Sequence, residues 1–216
     1  RKPPEVAAAV ARAIDGFGGA GRGAHAASLD AGLAVLRARE GLARLLGAPS
    51  PSRVAFCSNA TEALNVAIAG LLRPGERAVT TAASHNSVLR PLFRKEDEEG
   101  CEVVVVPHDG RGALDYGALE RELSRGARLL AITHASNLTG DVYDVARAAR
   151  LAHEHGALVV VDAAQTAGCV PIDMGRDGFD LVAFAGHKGL YGPQGTGGVA
   201  VAAHVEVPPF KEGGSG

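Results

Sequence analysis

Four groups of polar residues in this chain directly follow apolar or β-branched runs, and each carries a side chain able to do chemistry. The stretch Cys57-Ser58-Asn59-Ala60-Thr61-Glu62-Ala63-Leu64-Asn65 leads from an apolar run into a helical pattern through a cap region rich in Ser, Asn and Thr. Free backbone N–H groups there, with the positive end of the helix dipole, make a cradle for an anion such as a phosphate. Leu158-Val159-Val160-Val161-Asp162 ends an apolar run on a carboxylate, followed by Ala163-Ala164-Gln165. A carboxylate in so apolar a setting stays ionised only beside a cation or N–H donors. Phe184-Ala185-Gly186-His187-Lys188-Gly189 sets an amine among small residues, where partial burial favours loss of its proton and Schiff-base formation with an aldehyde. Ser84-His85-Asn86 and Ala135-Ser136-Asn137 add an imidazole and an amide at two further run ends.

Taken singly, each group has a plainer reading. Ser, Asn and Thr ahead of a helix are ordinary N-caps. The Asp at a strand end also caps turns or binds magnesium in nucleotide hydrolases, and most lysines in Gly-rich loops are solvated. Together they match one ligand. Pyridoxal phosphate needs a helix N-terminus for its phosphate, a flat partner over its ring, a carboxylate at its pyridine nitrogen and a lysine for its aldehyde. Rival ligands lack their signatures: there is no G-x-x-x-x-G-K-[ST] run, and Gly21-Arg22-Gly23 follows no strand pattern. His153-Glu154-His155 lacks the H-E-x-x-H spacing of a metal site, so no metal is expected and the tract reads as a solvated helix end.

The elements that must position these groups follow from periodicity. Apolar residues three and four apart predict helices over Val6–Ile14, Leu29–Leu46, Thr61–Leu72, Ser87–Glu98, Leu114–Leu123 and Val145–His155, with a Gly-rich stretch from Gly16 to Gly23. Short apolar runs predict strands at Arg53–Cys57, Ala78–Thr81, Val103–Val106, Leu129–Thr133, Leu158–Val161, Leu181–Phe184 and Gly198–Ala202. Alternation of the two kinds gives an α/β protein with a mainly parallel sheet covered on both faces. The connection from Phe184 to Gly198 is short and Gly-rich, too short for a crossover helix, so the final strand is expected to run antiparallel. In such a sheet, ligands bind outside the carboxyl ends of the strands, where all four groups lie.

Composition supports this class. The chain has 216 residues, 46% hydrophobic and 4% aromatic, with no Trp, so the core is built from aliphatic residues. A net charge of −2 with scattered signs speaks against a nucleic-acid or anionic-membrane surface. No apolar run approaches the roughly 20 residues of a membrane span. Cys57, Cys101 and Cys169 form neither a disulfide framework nor a C-x-x-C pair, and a reducing, cytoplasmic setting is expected.

The motifs resemble those of the class V aminotransferase superfamily, specifically its cysteine desulfurase-like members. Ser-Asn-Ala-Thr-Glu-Ala-Leu-Asn at 58–65, Ser-His-Asn-Ser-Val-Leu-Arg-Pro-Leu at 84–92, Thr-His-Ala-Ser-Asn-Leu-Thr-Gly at 133–140, Val-Asp-Ala-Ala-Gln-Thr-Ala-Gly at 161–168 and Gly-His-Lys-Gly-Leu-Tyr-Gly-Pro-Gln-Gly-Thr-Gly-Gly at 186–198 occur in that family's order and spacing. The resemblance implies the large domain of a fold-type I pyridoxal phosphate enzyme, with a seven-stranded sheet. It implies Lys188 as the Schiff-base lysine, His187 beside the phosphate, Asp162 at the pyridine nitrogen, and Asn137 and Gln165 near the ring hydroxyl. His85 would stack on the ring and assist proton transfer, while Thr61 and the N–H of Ala60 would hold the phosphate. The implied reaction takes sulfur from L-cysteine, giving alanine and an enzyme persulfide, in a homodimer whose residues 213–216 lie near the partner's phosphate.

The departures also carry expectations. Relatives have Ser or Thr where this chain has Ala185, so one phosphate hydrogen bond is expected to be missing. They often read Asn-Pro-Gly-Arg where this chain reads Gly19-Ala20-Gly21-Arg22. They begin with a further strand and continue into a small C-terminal domain bearing the substrate-carboxylate arginine and the nucleophilic cysteine. Residues 1–216 therefore read as an incomplete large domain. Cys57, Cys101 and Cys169 are expected to be small core residues rather than nucleophiles. Alternatives on the same scaffold are an aminotransferase, an epimerase, a selenocysteine lyase or a non-catalytic remnant, and outside it a nucleotide-binding module.

Overall fold

The computed structural model describes residues 2–21, 23–109 and 113–213. Seven strands form one sheet: β1 (Val54–Cys57), β2 (Arg77–Thr81), β3 (Glu102–Val106), β4 (Leu129–Thr133), β5 (Leu158–Asp162), β6 (Leu181–Ala185) and β7 (Gly197–Val201), in the order β1-β7-β6-β5-β4-β2-β3. Pairing is parallel from β3 through β2, β4 and β5 to β6, and antiparallel where β7 slots between β6 and β1. The short 186–196 connection reverses the chain, as its length requires. The carboxyl ends of β1, β2, β4, β5 and β6 and the start of β7 therefore share one edge.

Helices cover both faces because successive strand residues point to opposite sides. On one face, Leu130, Ile132, Val159, Val161, Val182 and Phe184 pack with Ala43 and Leu46 of α2 (Ala26–Leu46), Leu119 and Leu123 of α5 (Tyr116–Leu123), and Ala148, Ala149 and Ala152 of α6 (Val145–Glu154). On the other, Leu129, Ala131, Val160, Leu181 and Ala183 meet Leu64, Ala67 and Ile68 of α3 (Ala60–Leu71) and Val88 and Leu92 of α4 (Asn86–Glu99). The first helix, α1 (Pro4–Gly16), buries no residue. None of the described helices is long and apolar enough to cross a membrane.

Three local expectations are corrected. Leu114 does not open α5: it pairs across an isolated bridge with His108, and Asp115 caps the helix by accepting the Ala118 N–H at 2.9 Å. A short helix, α7 (Met174–Asp177), was not foreseen, because one turn is too short to show a period. The His153-Glu154-His155 tract is only partly solvated. His153 Nε2 lies 2.9 Å from Oδ2 of the fully buried Asp180, whose other oxygen meets His204 Nε2 at 2.8 Å and which also accepts the Val159 N–H. That carboxylate pins the end of α6 and the loop after β7 to the sheet edge opposite the candidate site.

Candidate functional site

At the carboxyl edge of the sheet, Ala60, Thr61, His85, Asn137, Asp162, Gln165, His187 and Lys188 all line one cavity of about 190 Å³. These are the eight residues picked out in the sequence, and they arrive from five separate strand ends. Ala185 lines the same space, as do Asn59, Ser87, Thr133 and Ala164, which sequence reasoning did not single out.

The cradle is built by the turn from β1 into α3. Asn59 is the N-cap, its Oδ1 accepting the Glu62 N–H at 2.8 Å. The Glu62 carboxylate reaches back to accept both the N–H and the hydroxyl of Ser58 at 2.7 Å, an arrangement related to the capping box. Lys211, returning along the chain's last described stretch, donates to the other Glu62 oxygen at 2.6 Å. Lys211 first, then the two Ser58 donors, hold the Glu62 carboxyl at about 2, below its usual 4.5. The start of β7 runs directly beneath this turn: a Cβ on Gly197 would lie 2.7 Å from backbone atoms of Asn59 and 2.8 Å from the Phe184 carbonyl. Only glycine allows that approach.

Asp162 closes β5 at 5% exposure. Burial pushes its carboxyl up, against the Ala164 N–H donating to Oδ1 at 2.9 Å, the charge of Lys188, and the neighbouring His85 and Thr133 side chains. Among the described residues, none of the ion pairs within 4.0 Å involves Asp162. A buried carboxylate with one amide donor and a cavity in front of it is suited to a cationic ring nitrogen. His187 Nδ1 is likewise buried without a hydrogen-bond partner among the described residues. His187 itself lines the cavity, so a polar ligand there is one group that could give that atom a partner. On these two observations the residues present fit pyridoxal phosphate.

Lys188 stands exposed in a loop held by the Gly186 N–H to the Thr196 carbonyl at 2.8 Å and the Gly192 N–H to the Gly186 carbonyl at 2.7 Å. Tyr191 takes a left-handed conformation, φ 58, within this loop, as its N–H donates to the Lys188 carbonyl at 3.0 Å. His85 caps α4: its Nδ1 accepts the Ser87 N–H at 3.1 Å. Beyond His85 and Asn137 lies a larger groove of about 880 Å³ that extends to Tyr116, Leu138 and Tyr143.

The three cysteines divide. Cys101 is buried, its Sγ donating to the Arg73 carbonyl at 3.2 Å, and fits the core role expected of it. Cys57 is half-buried, and burial followed by Glu62 raises its thiol. Cys169 is exposed, against expectation, because it sits in a turn with its N–H donating to the Thr166 carbonyl. It packs against the lysine loop, 2.5 Å from where a Cβ on Gly189 would stand. Of the departures noted in the sequence, Arg22 and residues 214–216 fall outside the described residues.

Fold and site together define an α/β protein of the fold-type I class. A family model of class-V aminotransferases matches residues 1–216, and the chain belongs to that family. It is 39% identical over 197 residues to a probable cysteine desulfurase of Methanothermobacter thermautotrophicus, covering 90% of this chain and 49% of that one. It is 34% identical over 199 residues to the cysteine desulfurase IscS of Edwardsiella ictaluri, covering 90% and 48%. The apo structure of a cysteine desulfurase from Thermococcus onnurineus superposes with a TM-score of 0.88 at 32% identity, over 94% of this chain and 51% of that one. The chain spans about half the length of these relatives.

Proposed function

We propose that residues 1–216 form the cofactor-binding part of a pyridoxal phosphate-dependent cysteine desulfurase. The observation that carries the reading is the convergence of Asp162, Lys188, His85 and the N-terminus of α3 on one cavity. The similarity to cysteine desulfurases supports the choice among class V chemistries. When bound, pyridoxal phosphate supplies a conjugated ring that draws electrons from the amino acid's Cα. Asp162 would hold the proton on the ring nitrogen, and Lys188 Nζ would be the amine that holds the group and carries a proton at the reacting carbon. The N–H groups of Ala60 and Thr61, the Thr61 hydroxyl and His187 hold the phosphate. Asn137 and Gln165 orient the ring hydroxyl, and His85 covers the ring and moves a proton.

The substrate is L-cysteine. Its sulfur passes to a thiolate outside this chain's three cysteines, alanine leaves, and the working unit is a cytoplasmic homodimer completed by the segments that the relatives carry beyond the match. The test is a visible spectrum of the purified chain with pyridoxal phosphate, then borohydride reduction and peptide mapping. The expected adduct is on Lys188 and is lost in Lys188→Ala; no adduct, or one on another lysine, overturns the cofactor assignment. Cysteine-dependent sulfide release is expected from the full-length protein but not from residues 1–216 alone. Release by the shorter chain would place the nucleophile within it.

A further inference from the structure

We propose that Ser87 is a positioning residue that transmits occupancy of the anion cradle at Thr61 to the imidazole of His85. The proposal rests on the cofactor reading for what fills the cradle, and on the geometry of three side chains for the rest. A backbone amide can only donate, so the Ser87 N–H at 3.1 Å requires a lone pair on His85 Nδ1. The proton of the neutral ring therefore sits on Nε2. The Ser87 hydroxyl oxygen stands 3.0 Å from the same Nδ1 and 2.7 Å from Thr61 Oγ1. It has one proton and two acceptors within reach, and the same is true of Thr61 once an anion enters the cradle.

Two arrangements follow. With no anion bound, the Thr61 hydroxyl donates to Ser87 Oγ and the Ser87 hydroxyl shares the Nδ1 lone pair of His85 with the Ser87 amide in a three-centre bond, a chain of donors running into the ring. An anion takes the Thr61 proton as its own hydrogen bond, because a charged acceptor outcompetes a neutral hydroxyl. The Thr61 oxygen then accepts from Ser87, whose proton turns away from Nδ1 and leaves the ring held by the amide alone. His85 thus registers the phosphate end of the site by the rotation of two hydroxyls, those of Thr61 and Ser87, with no movement of the main chain. Thr61 and Ser87 come from α3 and α4, so the link also bridges the two helices whose N-termini flank the cavity.

The test is nitrogen NMR of the 216-residue chain with labelled histidine and backbone amides, titrated with inorganic phosphate. The starting spectrum is expected to show His85 protonated at Nε2. On titration the Ala60 and Thr61 amides shift, and His85 Nδ1 shifts over the same concentration range. In Ser87→Ala the amides still move while the Nδ1 response is lost; in Ser87→Thr it returns. A full Nδ1 response in Ser87→Ala, a silent His85 beside moving amides, or a ring protonated at Nδ1 overturns the proposal. Silent Ala60 and Thr61 amides would instead remove the cradle reading, and the proposal with it.

Discussion

Ala185, where the sequence resemblance implies a hydroxyl residue, supports a quantitative experiment. It ends β6 at 2% exposure and lines the cavity with Ala60, Thr61 and His187. In Ala185→Ser, a hydroxyl facing a phosphate oxygen forms a bond to a charged acceptor, contributing about 1.5–3 kcal/mol. At 1.4 kcal/mol per tenfold, cofactor affinity rises by roughly ten- to a hundredfold. Without cofactor, a buried hydroxyl lacking a partner costs about 1–3 kcal/mol. In a chain of this size, each kcal/mol lowers the melting temperature by about 2–4 °C. The two effects have opposite signs, so an absorbance titration with pyridoxal phosphate and a melt of the cofactor-free chain form one diagnostic pair. Unchanged affinity together with a lower melting temperature would show that the phosphate does not sit against Ala185.

Two further outcomes follow from the same edge. Glu62 has its carboxyl lowered from 4.5 to about 2 by Lys211 and Ser58, so its contribution to stability is fully present above the unfolded value and is lost as pH falls through that window. The stability difference between wild type and Glu62→Gln, read by urea unfolding, should therefore shrink as pH drops from about 4.5 towards 2; a difference independent of pH would contradict the assignment. Gly197→Ala would drive a methyl into the backbone of Asn59 and Phe184, costing about 1–3 kcal/mol of overpacking and weakening cofactor binding by displacing the N-terminus of α3. Wild-type melting and affinity in that variant would refute the close approach.

The strands were the most legible elements because buried parallel strands read as unbroken apolar runs. Leu129–Thr133 has the bounds expected of it, and Leu158–Asp162 gains one residue, the carboxylate itself. The reversal of β7 was legible from the length of the loop before it. Less legible were features that depend on distant partners: His153 looked like a solvated helix end because Asp180, its partner, lies far along the chain. Ser87 is not legible as a site residue because a serine in the first turn of a helix looks like ordinary capping chemistry, and its contact with Thr61 exists only once α3 and α4 lie side by side. Cys169 read as core from its neighbours, yet the turn at Thr166–Cys169 carries it outward.

The placement of β7 sets the order in which the molecule is completed. Among the described residues β1 has no strand neighbour other than β7, and Val54 finds its partner in Ala200. During synthesis the parallel strands β2 to β6 can pair as they emerge, whereas β1 waits as an open edge until nearly the whole described chain has left the ribosome. The turn from β1 into α3, which lines the cavity, is anchored to that waiting strand. A nascent or truncated chain ending before Val201 therefore carries most of its core but no finished site, with an unpaired strand exposed to other chains. The turn from β1 into α3 is therefore seated in one late step, when β7 enters its slot beneath Asn59.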